Sequence, residues 1–236
     1  MRHLEAGSIR LDPEQAHHLR DVLRLEPGEP IEAFDDAGNT GAGTIDRIEG
    51  GAVWLRIETI RKAANALEIT IASALPKGQR ADWMIEKLSE LGVDRFIPLT
   101  TGRSVVEPSG KNKLDRWSRI AVESAKQSRR AGVMKIEPLT ALDIVLKHDL
   151  AASLYLSTDP TAAPIFDFMK SKIRDPKSKI RLLIGPEGGW TDQEIAGFHA
   201  AGLTGVKLTG TILRVETAAV SAAAIVASIR DSKEFP

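Results

Sequence analysis

The residues best placed to do chemistry lie in two glycine-bearing segments near the C-terminus. The first is Ile184-Gly185-Pro186-Glu187-Gly188-Gly189-Trp190, directly after the apolar run Leu182-Leu183-Ile184. It leads into Thr191, with Glu194 three residues on, the spacing of a reciprocal helix cap. Strand, glycine loop and helix in that order bring backbone amides to a ligand at the C-terminal edge of a sheet. Glycine spacing alone fits a plain tight turn equally well. The second segment runs from Leu208 through Thr209, Gly210, Thr211, Ile212, Leu213, Arg214, Val215 and Glu216 to Ala218, between a strand pattern and an Ala-rich helix. Arg214 and Glu216 stand at that helix start. As a surface ion pair they are worth under ~1 kcal/mol, so their types alone assign no role.

Several familiar chemistries are missing. There is no G-x-x-x-x-G-K-[ST] phosphate loop and no early G-x-G-x-x-G dinucleotide fingerprint. No G-x-S-x-G nucleophile elbow occurs. The five histidines, His3, His17, His18, His148 and His199, fall in no metal-ligand spacing, so no metal is expected. Cysteine is absent, which removes disulfides, thiol nucleophiles and thiolate metal sites.

Charge adds a second clue. The 236 residues balance 32 Lys and Arg against 32 Asp and Glu, so a globally basic nucleic-acid binder is excluded. The balance is uneven along the chain. Residues 1–60 hold 6 Arg and 12 acidic residues, whereas Arg103 to Lys135 holds 9 basic and 3 acidic ones. A local basic surface on an acidic-and-basic split chain is the expectation.

The elements that must position these residues fall into two groups. Before residue 60, short alternating runs separated by Asp36–Asn39 and by Gly50-Gly51 predict a small β-barrel. One helix is predicted over Pro13–Leu25, with Asp12 as its N-cap. After the polar stretch 61–68, strand and helix patterns alternate: LEITIASAL, ADWMIEKLSELG, DRFIPLT, KLDRWSRIAVESAKQSRR, AASLYLS, IRLLIG, TDQEIAGFHAAG, VKLT and the Ala-rich helix. That alternation predicts a mostly parallel α/β sheet covered on both faces. With 42% hydrophobic residues a substantial core is available. The N-terminus has no apolar leader, and the longest apolar stretch, Ala218 to Ile229, is too short to span a bilayer. A cytoplasmic protein is therefore expected, with no membrane partner.

The two late segments, IGPEGGWTDQE and LTGTILRVETA, taken in this order, resemble the paired signature of the bacterial 16S rRNA uridine-N3 methyltransferases of the SPOUT superfamily. Upstream, Lys77, Glu86-Lys87-Leu88-Ser89-Glu90-Leu91-Gly92, Arg103-Ser104-Val105-Val106 and Glu123, Ala125, Gln127, Ser128 and Arg130 are similar to further family segments. His17 to Leu25 with Gly28 resembles the family's N-terminal RNA-binding module. The resemblance covers nearly the whole chain. It departs at Thr209 and Thr211, where the family usually carries Gly and Arg, and at Met134, often Pro.

The resemblance implies a PUA-like β-barrel over residues 1–68 and, over 69–236, a C-terminal α/β methyltransferase domain tied in a trefoil knot. It implies S-adenosylmethionine as methyl donor, held by Gly185, Pro186, Glu187, Gly188, Gly189, Leu208, Gly210, Ile212 and Leu213. Arg103, Arg214 and Glu216 become the catalytic candidates, the arginines for charge stabilisation and the glutamate to order Arg214. RNA contacts fall to Arg10, Arg20 and Arg24 in the first module and to Arg119, Lys126, Gln127 and Arg130 in the basic segment. The implied partners are 16S rRNA of the small ribosomal subunit and a second copy of the chain. Alternatives on the same residues are an RNA-binding assembly protein without turnover, and a SPOUT methyltransferase for another RNA.

Overall fold

The computed structural model describes residues 4–35, 38–61, 67–104, 111–147, 152–172 and 178–232. Contacts divide the chain into two units, Met1–Ala64 with Ala131–Val133 and Asn65–Arg130 with Met134–Pro236. The polar connection expected at 61–68 lies largely outside the described residues, as does part of the turn expected at Asp36–Asn39.

The first unit contains β1 (Gly7–Arg10), α1 (Pro13–His17), β2 (Pro30–Phe34), β3 (Thr40–Glu49) and β4 (Ala52–Arg61). Its strands form one antiparallel sheet in the order β1-β4-β3-β2. The alternation read in AVWLRI holds: Val53, Leu55 and Ile57 point into a core with Leu4, Leu11, Ala16 and Ile45. Register shifts between Ala42 and Gly43 and between Ile45 and Arg47 bend the sheet. Gly43 is required at the first, since a Cβ there would lie 2.0 Å from the Arg56 carbonyl oxygen.

The helix expected over Pro13–Leu25 is shorter and changes type. Asp12 caps it as read, accepting from the Gln15 amide at 2.9 Å. After His17 the backbone widens to a π-helical turn, His18–Val22, and the chain leaves through Arg24 at φ 55°.

The second unit runs β5 (Glu68–Ser73), α2 (Arg80–Glu90), β6 (Arg95–Thr100), α3 (Lys111–Gln127), β7 (Lys135–Ile136), β8 (Thr140–Ala141), α4 (Leu142–Lys147), β9 (Ala152–Leu156), β10 (Ala163–Pro164), α5 (Ile165–Lys172), β11 (Lys179–Ile184), α6 (Asp192–Ala200), β12 (Thr204–Lys207) and α7 (Val215–Arg230). The strand order is β10-β12-β9-β11-β5-β6-β7, with β8 added on β6, and every pairing is parallel. Strands β5 and β11 lie centrally and are buried almost throughout, which explains their continuous apolar runs. Helix α3 packs on α2 through Trp117, fully buried, whose Nε1 donates to Asp82 at 2.8 Å. Because the strands are parallel, the ends of β9, β11 and β12 open on the same edge of the sheet. Both glycine segments emerge there.

Candidate active site

One cleft of about 230 Å³ lies at that edge, between the segments that follow β9, β11 and β12. Gly185, Pro186, Glu187 and Gly189 line it from the first glycine segment, and Leu208, Gly210, Ile212 and Leu213 from the second. Gly188 does not line it. Its carbonyl instead accepts from Arg103 Nη1 at 2.8 Å, and a Cβ there would touch the Arg103 side chain at 3.4 Å. The third wall was not legible in the motifs: Ser157, Thr158, Asp159 and Pro160, just past β9.

The first loop is fixed from several sides. The Thr191–Glu194 reciprocal cap is present, and Glu194 Oε1 also accepts from the Gly102 amide at 2.8 Å. Trp190 Nε1 donates to the Leu156 carbonyl at 2.9 Å, bridging from β11 to β9, and its ring meets Phe198 edge-on at 4.9 Å. Arg103 Nη1 also reaches the Trp190 carbonyl at 3.2 Å. Arg103 is thereby occupied with the loop backbone and does not line the cleft. The second loop is folded on itself: Thr209 Oγ1 donates to the Thr211 carbonyl at 2.9 Å and accepts from the Thr211 amide at 3.2 Å. The two positions that depart from the family pattern thus bond each other.

Arg214 is exposed at the N-cap of α7; its carbonyl accepts from the Ala218 amide at 2.8 Å, and its side chain makes no hydrogen bond or ion pair with the described residues. Glu216, in the first turn of α7, is buried. It pairs with Arg80, not with Arg214: Arg80 Nη1 lies 3.2 Å from Glu216 Oε1, and Arg80 Nη2 lies 3.5 Å from Glu187 Oε1. Arg80 is therefore the functional candidate that sequence reasoning missed. Its separation of 136 positions from Glu216 leaves no local pattern to find.

The expected RNA contacts separate on inspection. On the first sheet Arg10 and Arg47 flank Trp54 in cross-strand register, their guanidiniums 5.6 and 4.5 Å from the ring centre. Arg24 is exposed at the exit of the π-turn. Arg20 is engaged: it bonds Asp21 and donates to the Gly51 carbonyl at 2.6 Å. Its bond holds the Asp21 carboxyl down at about 2. On α3, Arg119 and Gln127 are exposed and line a groove with Arg116 and Lys87, while Lys126 pairs with Glu123 at 2.9 Å.

Arg130 departs from the expectation of an RNA contact. Helix α3 stops at Gln127, so Arg130 no longer follows the spacing of Arg119 and Lys126. Its side chain is only 12% exposed and turns inward, donating to the carbonyls of Ser89 at 3.1 Å and Val93 at 2.7 Å, with Asp94 at 3.5 Å. Burial pushes its pKa down and that of Asp94 up. Arg130→Met should therefore lower unfolding free energy by about 2–3 kcal/mol, the cost of orphaning charged hydrogen bonds. Chemical denaturation measures this, and an unchanged midpoint would return Arg130 to the surface.

Residues 63–227 match the model of the RNA methyltransferase domain, and residues 11–58 that of the RNA methyltransferase PUA domain. The chain is 35% identical to ribosomal RNA small subunit methyltransferase E of Synechocystis sp., over 96% of this chain and 75% of the relative. The chain belongs to the methyltransferase E family. Its relative in Bacillus subtilis is 31% identical, covering 91% of this chain and 87% of that protein. Among solved structures, methyltransferase E of Neisseria gonorrhoeae bound to S-adenosyl methionine superposes with a TM-score of 0.82 at 29% identity, covering 97% of this chain and 94% of that one. A methyltransferase from Legionella pneumophila with bound cofactor SAM gives 0.80 at 27%, covering 97% and 95%. The α/β class with an N-terminal PUA-like module is the architecture of this chain.

Proposed function

We propose that the chain transfers the methyl group of S-adenosylmethionine to N3 of a uridine in 16S rRNA of the small ribosomal subunit. The observation that carries this is the cleft where three parallel strand ends and both glycine segments meet. The donor set suits a cationic sulfonium better than a phosphorylated cofactor. Asp159 and Glu187 supply carboxylates to the wall, and Thr161 keeps the Asp159 carboxyl below its usual range through hydrogen bonds. Lys207 turns its ammonium to the Pro160 carbonyl at 2.6 Å. Ile184, Leu208, Leu213, Val215 and Ala218 give an apolar wall for an adenine ring.

When bound, S-adenosylmethionine supplies an electrophilic methyl group on a sulfonium. The chain's own part is to hold the loops, exclude water and place the acceptor in line. Arg103 and Glu194 lock the first loop from behind, and the Thr209–Thr211 bonds narrow the second. Arg10, Arg24 and Arg47 in the first unit, with Arg119, Lys126 and Gln127 on α3, supply the RNA contacts. On this reading the first 68 residues bind RNA, residues 69–236 carry the chemistry, and the superfamily's trefoil knot is tied from the two cleft loops. No helix among the described residues is long and apolar enough to cross a membrane, and no group of three or more acidic or histidine side chains among them makes a metal site. The reading places the enzyme in the cytoplasm.

Saturable calorimetric binding of S-adenosylmethionine is the expected result. Its absence would favour an RNA-binding assembly protein without turnover. The reading also includes a homodimer, for which Val220, Ser221, Ala224, Ile225 and Ser228 of α7 remain accessible, while Ala218, Ala219, Ala222 and Ala223 are buried in the chain's own core. Light scattering should give about twice the 25.6 kDa chain mass, and a monomer at micromolar concentration would contradict it.

A further inference from the structure

A second cleft opens beside the first, lined by Arg80, Glu187, Ile212, Leu213 and Arg214. Glu187, Ile212 and Leu213 line both, so an occupant of the second lies against an occupant of the first. The charges facing or backing it are two guanidiniums, Arg80 and Arg214, and two carboxylates, Glu187 and Glu216. That balance suits a neutral ligand better than a phosphate. Ile212, 83% exposed, offers an apolar flank for a flat ring.

Arg80 is held in an unusual way. One of its ion-pair partners, Glu216, has a side chain only 8% exposed. Glu216 Oε2 is buried without a hydrogen-bond partner among the described residues. A carboxylate in that position is costly unless a cation compensates it, so Arg80 is pinned to the floor while staying 35% exposed to the cleft.

We propose that this second cleft is the acceptor subsite, that it takes the uracil base, and that Arg80 is the catalytic residue that stabilises charge on the base during transfer. The inference rests on the methyltransferase reading. The N3–carbon bond forms as the carbon–sulfur bond breaks, the electron pair of that bond stays on sulfur, and the N3 proton passes to water. As the proton leaves, negative charge spreads over N3 and the two flanking carbonyl oxygens. A guanidinium already fixed by Glu216 and Glu187 can donate to one of those oxygens without reorganising, which is the arrangement that stabilises developing charge most. Arg214, on the opposite loop, is placed to donate to the other.

The test compares wild type, Arg80→Gln, Arg80→Lys and the double variant Arg80→Gln/Glu216→Gln, which leaves no uncompensated buried carboxylate. Calorimetry reads S-adenosylmethionine affinity, and kinetics on small ribosomal subunits reads kcat, KM and their pH dependence at saturating donor. The expected result is donor affinity within about threefold of wild type and kcat lowered about 10²–10³-fold in Arg80→Gln and in the double variant. The alkaline limb of the kcat profile should move up by about one pH unit, because the imidate has lost its cation. Arg80→Lys should recover part of kcat. An unchanged kcat and pH profile in the folded double variant would overturn the proposal. So would a loss confined to donor affinity, which would make Arg80 only a tie between the loops. If wild type binds donor yet transfers no methyl to uridine, the functional reading itself fails, and the subsite with it.

Discussion

Replacing Gly185 with valine is expected to weaken binding of the methyl donor severely. A Cβ at this position would lie 2.9 and 3.1 Å from carbons of the Trp190 ring. The ring cannot yield cheaply, since its Nε1 is bonded to the Leu156 carbonyl and it packs at right angles to Phe198. Forcing it aside pulls the first loop away from β9, where the third wall of the cleft begins. Overpacking of this kind costs about 1–3 kcal/mol, or up to about a hundredfold in affinity if it falls on the bound state. Gly197→Ala is the matched control, because it lies on α6 outside the cleft lining and a Cβ there meets only Leu146, at 3.7 Å. Calorimetry on both variants, with circular dichroism to confirm folding, checks this. Equal donor affinity in Gly185→Val and wild type would remove the first loop from the site.

The double reversal Arg119→Glu/Lys126→Glu should cause the second large loss, in RNA affinity. These side chains carry positive charge on the solvent side of α3, in a segment that is basic within a neutral chain. Binding to phosphates releases counterions, so affinity falls with salt by about 0.7 in log–log slope for each single-stranded phosphate contacted. Removing two contacts should make that slope shallower by roughly 1.4 and lower affinity at least tenfold at ~0.1 M salt. Donor affinity should not move. Filter binding across a salt series reads the slope, and an unaltered one would make α3 a merely solvated face.

Arg130 shows why the sequence could not settle which cations face RNA. Its place eleven residues after Arg119 reads as one helical stripe only while the helix continues, and α3 ends at Gln127. The strands and most helices of the second unit were legible because their apolar periods are set by burial on the sheet. The short elements β7, β8, β10, α4 and α5 were not, since two to eight residues carry too little period to stand out. The π-turn after His17 left no trace either, because its residues are ordinary helix formers and only the backbone registers the change. In the site, the glycine segments announced themselves by composition, but the Ser157–Pro160 wall and the Arg80–Glu216 pair depend on which strands are neighbours. That order, β9 and β12 beside β11 and β5, is a tertiary fact no local window contains.

The central claim is most directly tested by incubating the purified protein with S-adenosylmethionine labelled in its methyl group and with small ribosomal subunits that lack the modification. The 16S rRNA is then digested to nucleosides for mass spectrometry. The account predicts label in 3-methyluridine at one site, about one methyl group per subunit, and none without the protein. No label, or label in any other nucleoside, would contradict it.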